Sequence, residues 1–367
     1  MKTIPWWQPE IGNLELKFVE EVFRSNFPNE GVFTGKFEKK LARLLNVKYV
    51  IAVPSGTAAL FLALKSLNIG HGDEVIVPDV SFIATANAVE MTGAKAILID
   101  VEPGTFNIGV KEIEKAITGK TKAIIPVHVS GKPAQIDKII ALSRKRNIPV
   151  IEDAAEAFMS MYKGRYLGTF AKIGCYSLAP TKTITTGQGG FIVTNDEKIF
   201  RSIKLLKDHG RFHRGSGGDD IHLSLGYNFK FTDIQGAVGL GQLKNLSRRI
   251  SRMKRNYILY EKYLKGIKGI TLVEFNVKSG ECPLWIEAIA ENRDDLYNFL
   301  TSKKMYCRKF WYPIHTQSYY KQSDKNFPVS SKFCPTLIWL PSAFTVNDSD
   351  IKSVCDSIKK FYSQFKK

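Results

Sequence analysis

The sequence has no uninterrupted apolar run near the ~18 residues that a membrane-spanning helix needs. Its amino end, Met1-Lys-Thr-Ile-Pro-Trp-Trp-Gln-Pro-Glu10, also lacks the apolar core of a secretory signal, so a cytoplasmic protein is the expectation. Cysteine is scarce. Cys175, Cys282, Cys307, Cys334 and Cys355 are odd in number, widely spaced and without a Cys-x-x-Cys pair, and no histidines cluster at zinc-ligand spacing. Reduced thiols therefore fit best, and no metal site is expected. Acid is the charge in short supply: 35 Asp and Glu stand against 53 Lys and Arg, a formal net charge of +18. Such an excess attracts nucleic acid, a membrane surface or an anionic small substrate alike, so charge alone does not choose between them. Internal repeats and low-complexity tracts are missing too. With 44% hydrophobic and 24% charged residues the chain has ordinary globular composition, and its 367 residues can bury a large core in two or three domains.

What is present is an alternation of strands and helices. Tyr49-Val-Ile-Ala-Val53, Glu74-Val-Ile-Val77, Ala96-Ile-Leu-Ile99, Ala123-Ile-Ile-Pro-Val-His-Val129, Pro149-Val-Ile-Glu152 and Gly190-Phe-Ile-Val193 are short β-branched runs separated by amphipathic segments. They predict an α/β fold with a largely parallel sheet covered by helices on both faces, and active residues at the carboxyl ends of the strands. After Val53 a small-residue turn, Pro54-Ser-Gly-Thr57, opens directly into a strong helix. The backbone N–H groups of Gly56 and Thr57 there make a seat for phosphate, although a Ser-Gly-Thr turn starts many helices that bind nothing. From about residue 236 the texture changes. Leu243, Leu246, Ile250, Met253 and Tyr257 form an apolar stripe that predicts a helix with a solvated basic face around Arg248 to Arg255. The division expected is an arm over 1–12, a large domain over 13–235 and a small α/β domain over 236–367. A glycine-rich loop, Asp208 to Asp220, reads equally as a surface loop or as a contact for an anionic ligand.

The strongest chemical signal is Lys182, in Cys175-Tyr-Ser-Leu-Ala-Pro-Thr-Lys-Thr-Ile-Thr-Thr-Gly-Gln-Gly-Gly190, following the acidic strand end Ile151-Glu-Asp-Ala-Ala-Glu-Ala157. A lysine buried beside other cations can present a neutral amine to an aldehyde. A carboxylate at a neighbouring strand end is the partner a pyridinium nitrogen needs, so the pair points to pyridoxal 5'-phosphate.

Five motifs then add up to a resemblance. Ser55-Gly-Thr-Ala-Ala-Leu60, Pro78-Asp-Val-Ser-Phe-Ile-Ala-Thr-Ala-Asn87, Glu152 to Ala157, Ser177 to Gly190 and Gly226-Tyr-Asn-Phe-Lys-Phe-Thr-Asp233 occur in the order seen in the DegT/StrS family of pyridoxal-phosphate sugar aminotransferases, which this chain resembles over nearly its whole length. The resemblance implies an aspartate-aminotransferase-like fold of type I, with a mostly parallel sheet, and a smaller carboxyl-terminal α/β domain. It implies that Lys182 holds the cofactor and shuttles a proton, that Asp153 pairs with the pyridinium nitrogen, and that Glu156 approaches the cofactor or the keto sugar. Gly56, Thr57 and Ser177 would hold the phosphate and Phe82 would stack on the ring. Asn228 would reach the active site of the neighbouring subunit of a homodimer, and the segment Phe310-Trp-Tyr-Pro-Ile-His-Thr-Gln317 would border the sugar pocket, with His315 contacting substrate. Two positions depart from the family pattern: Gln188 stands where Glu is common, and Ser130 where an aromatic often follows Pro-Val-His.

The implied activity is transfer of an amino group from L-glutamate, by way of pyridoxamine phosphate, to a keto carbon of a nucleotide-linked 4-keto-6-deoxyhexose, C4 first and C3 as the alternative, for surface polysaccharide. A dehydratase on the same scaffold is disfavoured because such relatives replace the lysine by histidine. A nucleic-acid-binding regulator, suggested by the charge, lacks a recognition motif and the interleaved aromatics of a stacking platform.

Overall fold

A computed structural model describes residues 2–212 and 219–364 of the chain. The central part of the expected glycine-rich loop, residues 213–218, lies outside the described residues. Among the described residues thirteen strands run in chain order: β1 Tyr49–Val53, β2 Glu74–Pro78, β3 Lys95–Ile99, β4 Thr121–Ile124, β5 Ile151–Asp153, β6 Met161–Tyr162, β7 Arg165–Tyr166, β8 Ile173–Ser177, β9 Gly190–Thr194, β10 Ile270–Leu272, β11 Ile286–Ala290, β12 Arg308–Lys309 and β13 Leu337–Leu340.

β3, β2 and β4 pair in parallel, and β5, β8, β9 and β1 form a second set. Bridges from Ile124 to Val150 and from Val127 to Asp153 join the two sets, giving the spatial order β3-β2-β4-β5-β8-β9-β1. The fold is the pyridoxal-phosphate type I architecture, α/β with a mostly parallel sheet, and the exception has a physical reason. β9 runs antiparallel to both β8 and β1, because it follows β8 after a loop with no crossover helix, and only antiparallel neighbours can be joined that way. That loop carries Lys182.

Alternation along the strands explains the layers. Ile51, Val53, Ile173, Cys175 and Ile192 face one side and pack with the helix Gly56–Ser66, whose residues Ala58 to Leu64 are all buried. An apolar-all-round helix of this kind belongs inside a core. Val50, Ala52, Tyr176, Phe191 and Val193 face the other side, against the helices Val32–Leu45 and Asp233–Lys244. Residue 235, where the sequence suggested a division, lies in the second of these helices.

β10, β11, β13 and β12 form a separate antiparallel sheet, packed with the helices Leu246–Leu264 and Asp348–Gln364. The amino-terminal arm joins it: Ile4 exchanges backbone hydrogen bonds with Lys304 and Tyr306, and Trp6 stacks on Trp339. In the basic helix the expected stripe is largely buried, but its basic face is not uniformly solvated. Arg249 is fully buried and donates to the side chain of Gln242 and the carbonyl of Glu10, while Arg252 and Arg255 pair with Asp348. A long helix seated between two other elements must satisfy the guanidinium on its inward side, and the periodicity of apolar residues does not reveal that. Among the described residues no helix is long and apolar enough to cross a membrane.

One close approach fixes the start of the helix Gly56–Ser66 against β9. A Cβ on Gly190 would lie 2.6 Å from the carbonyl carbon of Ser55 and 2.7 Å from the nitrogen of Gly56. Gly190→Ala must therefore push β9 away from the start of the helix Gly56–Ser66. The expected result is a lower melting temperature, from overpacking of about 1–3 kcal/mol or more, together with weaker cofactor uptake, both read from thermal denaturation with and without pyridoxal phosphate. Unchanged melting and uptake would refute this account of the glycine.

Candidate active site

Strand ends of the large sheet and one face of the small sheet converge on a cavity of about 190 Å³. Lys182 projects into it from the loop between β8 and β9. Hydrogen bonds from Leu178 N–H to the Gly189 carbonyl and from Thr186 N–H to the Leu178 carbonyl close that loop, and the Trp7 indole N–H grips it by donating to the Pro180 carbonyl. The Lys182 amine donates to Glu156 Oε1 at 3.1 Å and lies 4.9 Å from the centre of the Trp285 ring. Its side chain is only 12% exposed, so water competes weakly for the amine.

Asp153 closes β5, and strand alternation separates it from its neighbour Glu152. Glu152 turns away from the cavity and accepts from the amides of Gly168 and Ala171, beside His128, in a purely structural role. Asp153 turns into the cavity, where the Thr85 hydroxyl donates to one oxygen at 2.8 Å and the Ala155 amide to the other at 3.1 Å. Burial pushes the Asp153 carboxyl up from its ordinary value, opposed by Thr85, Ala155 and the Lys182 charge. Glu156 is pushed up by burial in the same way, with Lys182 and the Ser130 amide pulling it back. A cationic ring nitrogen would offset the desolvation that burdens Asp153.

The start of the helix Gly56–Ser66 opens onto the cavity. Ser55 caps the helix Gly56–Ser66 by accepting from the Ala58 amide at 3.0 Å, which leaves the amides of Gly56 and Thr57 without a partner inside the helix. Ser177 at the end of β8 faces them, so close that a Cβ on Gly56 would lie 3.1 Å from the Ser177 Cβ. Phe82 is 55% exposed at the cavity. A bare aromatic at a cavity wall is a surface for a flat ring, and a residue of the hydrophobic core would not be so open. These residues fit pyridoxal phosphate: a helix start for the phosphate, an aromatic face, a buried carboxylate and an amine. The Trp285 indole N–H, on a residue that lines the cavity, is buried without a hydrogen-bond partner among the described residues, one more donor open to a ligand.

The structure thus brings together Gly56, Thr57, Phe82, Asp153, Glu156, Ser177 and Lys182. His315 is not with them. Its imidazole is fully buried, held between Asp79 at 2.7 Å and Asp324 at 3.1 Å and stacked on Phe327. There it ties the segment after β12 to the end of β2, one step removed from the cavity lining. Asn228 is exposed, bridged to Asp208, and also outside the lining. Gln188 does line the cavity, and its carbonyl accepts from Gln235 Nε2.

Sequence reasoning pointed to the segment Phe310 to Gln317, and with it Trp311, as a border of the sugar pocket, but missed the rest of the second wall. Trp285, Arg308, Trp311 and Trp339 line it from the small sheet and the segment after β12, with the Arg308 guanidinium 4.9 Å from the centre of the Trp6 ring and 5.6 Å from that of Trp339. Nothing local marks these residues as neighbours of Lys182, although tryptophan on a short strand is a signal in itself.

Comparison with known proteins agrees with this geometry. Residues 9–359 match the model of the DegT/DnrJ/EryC1/StrS aminotransferase family. The GDP-perosamine synthase of Escherichia coli O157:H7 is 39% identical over 369 residues, covering 99% of this chain and all of that protein. A dTDP-4-dehydro-2,3,6-trideoxy-D-glucose 4-aminotransferase of Saccharopolyspora spinosa is 31% identical, over 96% of this chain and 95% of its own. Among solved structures, a putative sugar aminotransferase from Streptococcus pneumoniae in its pyridoxamine-phosphate form superposes with a TM-score of 0.94 at 25% identity, covering 99% of this chain and 98% of that one.

Proposed function

The chain belongs to the DegT/DnrJ/EryC1/StrS family of pyridoxal-phosphate-dependent sugar aminotransferases, and within it we propose an enzyme that moves the amino group of L-glutamate to C4 of a nucleotide-linked 4-keto-6-deoxyhexose. The observation that carries this reading is the end-to-end likeness to a GDP-perosamine synthase, joined to a cavity that places one amine beside two buried acids. The second relative, named for a 4-amination, favours C4 over C3.

When bound, pyridoxal phosphate supplies an aldehyde that takes up amines and an electron sink for the carbon that loses its proton. Lys182 would hold the group and, when released, carry a proton to and from the reacting carbon, the amine being aimed by Glu156. Asp153 would keep the ring nitrogen protonated, since a neutral ring withdraws electrons poorly. Gly56, Thr57 and Ser177 would bind the phosphate, and Phe82 would lie against the ring. Arg308, exposed at the mouth, would meet an anionic part of a substrate. In a homodimer the exposed Asn228 would serve the neighbouring site. The basic surface would attract the nucleotide diphosphate and not nucleic acid, and the product would feed surface polysaccharide made from cytoplasmic precursors.

A panel of GDP-, UDP- and dTDP-linked 4-keto sugars, each offered with glutamate, tests the reading. Turnover of at least one with the new amine at C4 by NMR is expected, and amination at C3 or no turnover by any would defeat it.

A further inference from the structure

Beneath Glu156 lies a second acid that the chemistry above does not use. Glu287 sits on β11, is 2% exposed and is surrounded by the apolar core of the small sheet. Directly opposite residues on antiparallel strands share a face, and the register places Glu287 opposite Trp339 and Trp339 opposite Arg308. One row of side chains therefore runs from Arg308 at the cavity mouth, through the Trp339 wall, to the buried acid. From there it continues into the large domain's chemistry. The Trp339 indole donates to Glu287 Oε1 at 2.8 Å, and the Ser130 hydroxyl donates to the same oxygen in a short contact. Ser130 also gives its backbone N–H to Glu156 Oε2 at 3.0 Å, and Glu156 accepts from Lys182 through its other oxygen. The Ser130 carbonyl in turn accepts from the Leu284 amide at 2.8 Å, so this one residue is clasped to the segment that leads into β11. Ser130 makes these contacts from a left-handed backbone, φ 50°, in which a larger side chain would gain nothing.

We propose that Glu287 is a positioning residue of the active site, an acid that carries a proton and fixes the Glu156–Lys182 pair through Ser130 while anchoring the Trp339–Arg308 wall on its other side. Both donors converge on Oε1, which leaves Oε2 to bear the proton of a neutral carboxyl. The ionisable groups facing Glu287 are Glu156 and the Cys334 thiol, with Lys182 beyond the first and Arg308 beyond Trp339. No cation neutralises it directly. Burial first, and the nearby Glu156 charge, push Glu287 up to about 7, against the pull of its Ser130 and Trp339 hydrogen bonds. Below that pH Glu287 is neutral and adds no negative charge behind Glu156. Above it a second negative charge appears behind Glu156, and repulsion between the two acids disturbs the Glu156–Lys182 pair that Ser130 holds in place.

The proposal rests on the reading of Lys182 as the cofactor's amine, and the test separates the two. In the holoenzyme, the rate at which glutamate bleaches the visible cofactor band is followed from pH 5.5 to 9 for the wild type, Glu287→Gln and Ser130→Ala. Glutamine keeps the acceptor for Ser130 and Trp339 but cannot ionise. It is expected to match the wild type within about twofold at pH 6 and to exceed it by about threefold or more above pH 8, a modest part of what a well-placed proton carrier contributes. The wild-type inflection near pH 7 should vanish in Glu287→Gln. In Ser130→Ala it should move to higher pH, because the serine hydroxyl stabilises the ionised carboxylate. Thermal melting of the cofactor-free proteins gives a second readout. A folded-state value raised above the unfolded one means that the wild type loses stability as pH rises from about 4.5 to 7, so the midpoint of Glu287→Gln should gain on the wild type by about 2 °C or more between pH 5 and pH 8. Identical pH profiles of wild type and Glu287→Gln would overturn the proposal, as would a wild type with no inflection near neutrality. A wild type that never binds cofactor would sink the lysine reading and this proposal with it, whereas normal binding with unchanged profiles would sink this proposal alone.

Discussion

Lys182→Ala is expected to abolish the visible band of the bound cofactor and to lower the transamination rate by at least about 10,000-fold, the upper range for loss of a positioned proton carrier. Two roles fall on one amine here. Among the described residues that line the cavity Lys182 is the only amine, and the other cation there, Arg308, is a guanidinium that neither loses its proton nor adds to an aldehyde. No neighbour can substitute. The fold should tolerate the change, because Glu156 keeps the Ser130 amide on its second oxygen and the loop is closed by backbone bonds and by Trp7. Absorbance at saturating cofactor, a single-turnover assay with glutamate and circular dichroism check the three parts. A variant that retains the band, or loses less than about a hundredfold in rate, would remove Lys182 from the centre of the chemistry.

Asp153→Asn separates catalysis from stability in the opposite sense to most buried substitutions. The amide oxygen can still accept from the Ala155 N–H while the amide NH2 donates to the Thr85 hydroxyl, which can turn to accept, but the side chain supplies no negative charge to hold a proton on the ring nitrogen. The rate is expected to fall on the order of a thousandfold, the scale found when one preorganised electrostatic partner is lost. The cofactor-free protein, by contrast, should be as stable as the wild type or more so at neutral pH. Burial raises the Asp153 carboxyl in the folded state, so its ionisation opposes folding, and that penalty grows as pH climbs from the unfolded value through the folded one. Removing the ionisable group removes the penalty. Kinetics alongside chemical denaturation at pH 5 and pH 8 would test the pair of outcomes, and a strongly destabilised variant with near-normal turnover would contradict both.

Much of this site was legible in the linear sequence because its signals are local. The turn Ser55-Gly-Thr57 opens a helix, so the place where free amides gather is written in consecutive residues. Asp153 and Glu156 stand at one strand end, and the twelve residues from Leu178 to Gly189 form a loop whose ends pair within the sheet, so Lys182 is delivered by its own neighbours. Phe82 follows β2 in the same way. For His315 the local pattern misled. A histidine next to Ile314 and Pro313 looks available for substrate, yet three hydrogen-bond partners and a ring from elsewhere in the chain claim it: Asp79, Asp324, Ser331 and Phe327.

The order of strands and helices, the lysine loop and the acid that answers it were determined by the sequence itself, since each follows from the chemistry of adjacent residues and from periodicities of two and 3.6. The tertiary structure alone decided which distant side chains share the cavity. Ser130 and Glu287 are 157 positions apart, and Trp285, Trp339 and Arg308 belong to a different sheet from Lys182. Their meeting depends on how two sheets pack face to edge. Packing of that kind is set by the sum of many weak apolar contacts, and no short stretch of sequence contains that sum.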